Sequence, residues 1–316
     1  MSSGFKAFPE DGLLGVAEGQ APGPTVIIVA AQHGNEPAGA WAAQQVLDQL
    51  ARRGLPRGRV AARIGNRAAL ARGVRHQGHD QNRMWGQPPP PPGPDADEYH
   101  ALAAWLAPLM ATPAVILDLH TTSAGGPPFA LATATPANHH LGIALPFPLV
   151  FGLLEDVPGT LAQWAATQGH ASLAVEAGRH DDPQAVAIHT HAVWVLLHHL
   201  GCTDGPVDAL DIRPASAAER RGNPPDSLPF SAAEAGLPGP AIMRVVHTHH
   251  IKAGDDFVMR PGFTSFQPVE VGTLLAHDRH GEVRAPHNGR LLMPLYQASG
   301  REGFFIAQDG WGGGGV

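Results

Sequence analysis

Apolar and polar positions along this chain follow two alternating periods over its first two-thirds. Short runs rich in β-branched residues read as strands: Thr25–Ala31, Val60–Gly65, Ala114–Leu119, Leu149–Leu154 and Ser172–Glu176. Between them lie stretches with helical spacing. Pro37 to Arg53 carries its proline in the first turn, as helix starts prefer. Asp97–Met110 sets Leu102, Trp105, Leu106 and Leu109 on one face, and Thr160–Gln168 and Pro183–Leu200 follow. Strands alternating with helices predict an α/β fold with a mixed, largely parallel sheet flanked by helices.

The pattern changes after Gly201. Residues 203–240 are rich in Pro, Gly, Ala and Asp without a sustained period, and read as linker or irregular structure. From Ala241 onward, β-type runs alternate with turn signals: Met243–Val246, Asp256–Met259, Val269–Val271, Leu274–Ala276, Arg290–Met293 and Gly303–Ile306. The expected organisation is therefore an α/β domain over 1–202, a linker over 203–240 and a smaller all-β domain over 241–316. Its glycine-rich end, Trp311 to Val316, reads as frayed. The run Pro88–Pro92 reads as a stiff surface connector.

Composition narrows the picture. The 43% hydrophobic content of 316 residues is enough for a full core without staples. The single cysteine, Cys202, excludes an intrachain disulfide and fits a reducing compartment. A net charge of −7, with lysine only at positions 6 and 252, leaves no basic stripe for nucleic acid. Residues 1–24 lack a basic flank followed by an apolar core, and the apolar runs are strand-sized. Neither a signal peptide nor a membrane partner is expected, and a cytoplasmic location is.

Chemistry concentrates where predicted strands end, the place where open α/β sheets bind ligands. The first strand runs directly into His33-Gly34-Asn35-Glu36, and the strand from Ala114 ends in Asp118-Leu119-His120. His33, Glu36 and His120 make a His2Glu set, which leaves the fourth position of a zinc ion open. Glu176 ends a third strand. A lone glutamate there is commonly a solvated strand end, but it is also where a zinc hydrolase needs its general base. Arg67 and Arg83 near a metal would suit an acidic amide substrate, since the guanidinium fork matches carboxylates and oxyanions.

Five motifs then fall in order: His33-Gly34-Asn35-Glu36, Asn66-Arg67-Ala68, Asp80-Gln81-Asn82-Arg83, Asp118-Leu119-His120-Thr121-Thr122 and Val175-Glu176-Ala177-Gly178. Together they resemble the succinylglutamate desuccinylase/aspartoacylase family, zinc-dependent amidohydrolases with a carboxypeptidase-like fold. Asn288-Gly289-Arg290 and Gly303-Phe304-Phe305-Ile306 resemble that family's β-rich C-terminal part more loosely. The resemblance implies one zinc ion per chain on His33, Glu36 and His120, Glu176 as base and proton carrier, and Arg67 as the group polarising the scissile carbonyl. It implies that Asn82 and Arg83 grip the carboxylate of an N-acyl amino acid, and it implies a homo-oligomer. Two departures bear on selectivity. Gln81 replaces the family's leucine, and Trp164–His170 lacks the arginine expected before the base-bearing strand. Arg179 is the candidate to compensate, and Tyr296 the candidate for a C-terminal tyrosine that touches substrate.

The expected reaction is cleavage of an N-acyl amino acid by water activated at zinc and Glu176; the alternative is a zinc carboxypeptidase acting on short peptides. A carrier-module reading of the Asn288-Gly289 turn fails for want of a nearby lysine, since the C-terminal region holds only Lys252. Asp118 is expected on the face opposite His120, as a supporting group. His76 and His79 are candidates for the pocket wall. His189, His191, His198 and His199 read as a helix face, and His247, His249 and His250 as residues alternating on a strand.

Overall fold

The computed structural model describes residues 8–204 and 241–310. In chain order the elements are β1 (Leu13–Ala30), α1 (Ala38–Arg53), β2 (Leu55–Ile64), α2 (Arg67–Arg72), a 3-10 turn (Gln81–Arg83), α3 (Pro94–Leu109), β3 (Ala114–Thr122), β4 (Phe129–Ala132), α4 (Pro136–Gly142), β5 (Leu149–Phe151), α5 (Leu153–Asp156), α6 (Leu161–Thr167), β6 (Ala171–Arg179) and α7 (Ala185–His199). After the segment outside the described residues come β7 (Ile242–His250), β8 (Val258–Met259), β9 (Pro268–Val269), β10 (Leu274–Asp278), β11 (Gly281–Arg284), β12 (Gly289–Leu292) and β13 (Glu302–Asp309).

A ten-stranded mixed sheet runs in the order β2-β1-β3-β6-β4-β5-β7-β13-β12-β9. Its centre, β2-β1-β3-β6, is parallel, and β3 is buried along its whole length. Strands covered on both faces read as continuous apolar runs, which is why these runs stood out in the sequence. Side chains of β1 divide between two cores: Val26, Ile28 and Ala30 pack with α1 and α7, while Ile27 and Val29 pack with Leu102 and Leu106 of α3 and with α6. Helices on both faces of a largely parallel sheet are the predicted class. Antiparallel C-terminal strands are present too, and a separate three-stranded sheet, β11-β10-β8, lies among them. The other C-terminal strands extend the main sheet, because β7 pairs parallel with β5.

Some boundaries differ from the sequence reading. The run Leu149–Leu154 breaks after Phe151: Gly152 takes φ 90° and a short helix follows. Strand β2 begins at Leu55, because residues 55–59 pair with the early half of β1. Of the expected linker 203–240 only Thr203 and Asp204 are described, and the expected frayed end, 311–316, lies outside the described residues. Among the described residues no helix is long and apolar enough to cross a membrane.

The topology fixes where a ligand can sit. Strand β1 lies between β2 and β3, so the chain leaves it toward one side and later returns on the other. Such a switch point opens a crevice at the carboxyl ends of the strands. His33 and Glu36 follow β1, and His120 lies near the carboxyl end of β3. Glu176 on β6 is the direct register partner of His120.

Candidate active site

The loop after β1 is shaped by two close approaches. Ala31 holds φ 53°, and the backbone N–H groups of Gly65 and Asn66 donate to the carbonyls of Ala30 and Ala31 at 2.7 and 3.0 Å. A non-glycine residue in this region costs roughly 1 kcal/mol, offset here by those bonds. Gly34 has the backbone of Ala69 so near that a Cβ would lie 2.0 Å from its carbonyl carbon. Only glycine fits, and this links the first motif to α2, whose N-cap is Asn66 accepting from Ala69 N–H at 2.9 Å.

His33, Glu36 and His120 converge, with one ligand atom from each lying within 4.8 Å of the others. All three are buried. Glu36 stands between the rings: Oε1 lies 2.9 Å from His33 Nδ1 and Oε2 lies 3.0 Å from His120 Nδ1. The far nitrogens are held from behind, His33 Nε2 by Asp80 Oδ1 at 3.1 Å and His120 Nε2 by Asp118 Oδ2 at 2.9 Å. Carboxylates that anchor the outward nitrogens of two histidines, with the inward nitrogens facing a third carboxylate, fit a divalent cation. Asp118 thus corrects the expectation of an opposite face: residues two apart on a strand share one. It also accepts from Gln32 Nε2 at 2.7 Å, and Gln32 in turn accepts from Trp85 Nε1 at 3.0 Å.

Burial works against charge on Glu36, yet the facing His33 and His120 rings hold its carboxyl well below the usual range. Burial likewise opposes charge on Asp80, and His33 and Arg75 overcome it. Glu176 has no such partner. Its Oε2 is buried without a hydrogen bond, and burial, opposed by His120 and assisted by Glu36, pushes its pKa up to about 7.

The other expected site residues divide. Asn82 and Arg83 line the same cavity, about 100 Å³ in volume, as the His–Glu–His cluster. The Asn82 amide nitrogen lies 3.3 Å from His120 Nε2, and its Oδ1 accepts from Leu161 N–H at 2.8 Å. Arg83 pairs with Glu302 at 3.0 Å. Arg67 is not brought to the cluster: its guanidinium binds Glu98 at 3.1 Å and the Glu10 carbonyl, and it is absent from the cavity lining. Arg179 is an exposed residue paired with Asp181. The Tyr296 hydroxyl is taken by Phe263 N–H at 2.9 Å and the Arg260 carbonyl at 2.7 Å, outside the lining.

The arginine at the cluster is Arg75, which the sequence reading passed over. Its side chain is 14% exposed, 3.6 Å from Glu36 Oε1 and 2.9 Å from Asp80 Oδ2. The available signal was its place in the loop between the Asn66 and Asp80 motifs, where the Asn66-Arg67-Ala68 motif pointed to Arg67 instead. His180 was also missed. It lines the cavity, meets Thr121 Oγ1 at 2.8 Å, and is pushed toward its neutral form by burial. His76, His79 and Pro88–Pro91 line an adjoining outer chamber, so the proline run is a wall as well as a connector. His247, His249 and His250 do not form a ligand cluster; His249 stacks on Phe304 at 5.0 Å.

Behind the site, His189 of α7 is fully buried, and neither ring nitrogen has a well-formed hydrogen bond, although the His120 backbone faces it. Burial pushes its pKa down to about 3. The unfolded chain therefore takes up a proton below about pH 6.5 that the fold refuses. This contribution is full above that pH and is lost as pH falls toward 3, by up to roughly 5 kcal/mol. His189→Leu is expected to flatten the acid limb of a plot of melting temperature against pH between 7 and 5. The difference from the parent isolates this residue from His120, which Asp118 and Glu36 shift upward despite burial. Parallel limbs would mean that His189 does not stay neutral in the fold.

Comparison with known proteins bears on the fold and the family. The family described as "Succinylglutamate desuccinylase/Aspartoacylase catalytic domain" matches residues 22–195. No curated protein sequence matches the chain. Among solved structures it is similar to a succinylglutamate desuccinylase from Vibrio cholerae, with TM-score 0.68 and 17% identity over 91% of this chain and 82% of that one. It is also similar to the product-bound ectoine utilization protein EutE (DoeB) from Ruegeria pomeroyi, with TM-score 0.66 and 19% identity over 93% and 87%. An aspartoacylase family protein from Mesorhizobium loti gives TM-score 0.62 and 16% identity over 93% and 88%. These likenesses describe the fold; the family match, spanning more than half of the chain, places this protein in the succinylglutamate desuccinylase/aspartoacylase family.

Proposed function

We propose that this protein is a zinc-dependent hydrolase that cleaves the amide bond of an N-acyl amino acid. The observation that carries the reading is a buried carboxylate whose Oε2 has no hydrogen bond, Glu176, set beside the buried His33–Glu36–His120 donor set. Those three residues would hold the ion, which when bound polarises a carbonyl and makes water acidic near neutral pH. Glu176 takes a proton from the attacking water and passes it to the amide nitrogen, so that the C–N bond breaks with a neutral amine leaving. Burial raises the pKa of this carboxyl above its ordinary value, which favours its holding and releasing a proton in turn. Arg75, fixed by Asp80, is placed to donate to the carbonyl oxygen as charge builds there. Asn82 and Arg83 hold the substrate carboxylate.

The test is amine release by zinc-loaded protein from N-acetyl, N-succinyl and N-formyl amino acids, run beside dipeptides. Turnover of the acyl amino acids is expected, lost on chelation and restored by zinc. Faster cleavage of dipeptides would replace this reading with a carboxypeptidase. In the same assay Arg75→Met should lower kcat/KM by about 10²-fold, the cost of losing one oxyanion donor. Arg67→Met should leave kcat/KM near the parent value, because its guanidinium is engaged with Glu98 and the Glu10 carbonyl outside the cavity lining. The reverse ranking would return the role to Arg67.

A further inference from the structure

One side of the cavity beside Glu176 is apolar. Leu131, Leu153, Leu154, Val157, Ala162 and Phe305 line it, each no more than 4% exposed. They belong to one packed cluster contributed by β4, α5, the turn after it, α6 and β13. The wall begins next to the base: Ala174, also in the lining, is two residues before Glu176 on β6 and shares its face. Ala174 is also the register partner of Leu131.

The groups assigned to the substrate carboxylate abut this wall. Asn82 is tied to Leu161, the neighbour of Ala162. Arg83 is tied to Glu302, which shares β13 with Phe305. The amino-acid half of the substrate, gripped at its carboxylate and with its nitrogen at Glu176, therefore has its side chain against the apolar wall. Both arginines in the lining are already assigned, Arg75 to the scissile carbonyl and Arg83 to the first carboxylate, and each also faces an acid, Arg75 against Asp80 and Glu36 and Arg83 against Glu302. His180 is kept toward neutral. Arg301 lines the outer chamber and not this one. A second carboxylate placed here would shed its water without an uncommitted cation opposite, which is strongly unfavourable.

Resting on the hydrolase reading above, we infer that the amino acid released carries an apolar side chain, of the leucine, methionine or phenylalanine class, and a single carboxylate. Aspartate and glutamate derivatives are disfavoured by the same wall.

The experiment holds the acyl group constant. Zinc-loaded protein is assayed on N-acetyl-L-leucine, N-acetyl-L-methionine, N-acetyl-L-aspartate and N-acetyl-L-glutamate. Calorimetry then measures binding of the leucine and aspartate compounds to zinc-loaded Glu176→Gln protein. The expected result is a kcat/KM about 10²-fold or more in favour of the apolar pair, with binding in the same order. Equal or better turnover of the acidic pair would overturn the inference while leaving the hydrolase reading intact. No turnover of any compound, with N-acetyl-L-leucine still bound more tightly than N-acetyl-L-aspartate, would overturn the hydrolase reading and support the pocket. Absence of both turnover and binding would overturn both.

Discussion

Glu36→Gln protein is expected to bind zinc far more weakly than the parent chain. The side chain keeps its shape, but the carboxylate that faces His33 Nδ1 and His120 Nδ1 becomes an amide with one acceptor oxygen. Oε2 of Glu36 also accepts from Thr121 N–H at 3.0 Å, so the amide nitrogen will turn toward Arg75 or a histidine and not toward that donor. Zinc affinity should fall by more than the 10- to 100-fold that the loss of an outer partner costs. Asp80→Asn and Asp118→Asn, which loosen the histidines from behind, supply that smaller scale in the same protein. Zinc per chain by elemental analysis and a competitive chelator titration read all three variants, and turnover is expected to follow occupancy. Full zinc occupancy with parental affinity in Glu36→Gln would remove this residue from the ligand set and leave only two histidines there.

Legibility in the sequence followed burial. Strands β3 and β6 and the Val26–Ala30 end of β1 are covered on both faces, so their apolar runs were continuous, and the histidines and glutamates that end them were found by position. Strand β4 is four residues without a β-branched side chain, and α2 and α4 are six and seven residues long. Elements so short are specified by what packs on them. Asn66 and Thr135 do cap the two helices, a local signal that was available. The arginine was harder. Arg67 opens α2 and Arg75 lies just past its end, and only the fold shows that the first reaches Glu98 and the second turns inward to Asp80. Asp118 shares a face with His120, as a strand's period of two requires. The apolar wall was illegible in principle, because its residues come from five stretches of chain that meet only after folding.

Replacing Glu176 by Gln should lower kcat by about 10²- to 10⁴-fold, the range that a positioned acid or base contributes. Glutamine fills the same volume next to Ala174 and Phe129 but cannot take a proton from water or give one to nitrogen. Zinc content should be unchanged, because the ligand cluster does not include this side chain. Stability supplies an independent check. Burial raises the Glu176 pKa above its unfolded value near 4.5, so the fold prefers the neutral acid. The stability tied to that proton is complete below the unfolded pKa and is lost as pH rises through about 7. Metal-free Glu176→Gln protein, always neutral, should therefore melt no lower than the metal-free parent near pH 5, with the gap in its favour widening toward pH 8. Retained turnover in this variant would end the assignment of Glu176 as the base. A variant that melts far below the parent at pH 8 would mean that the ionised carboxylate is held by contacts stronger than the packing around Oε2 provides.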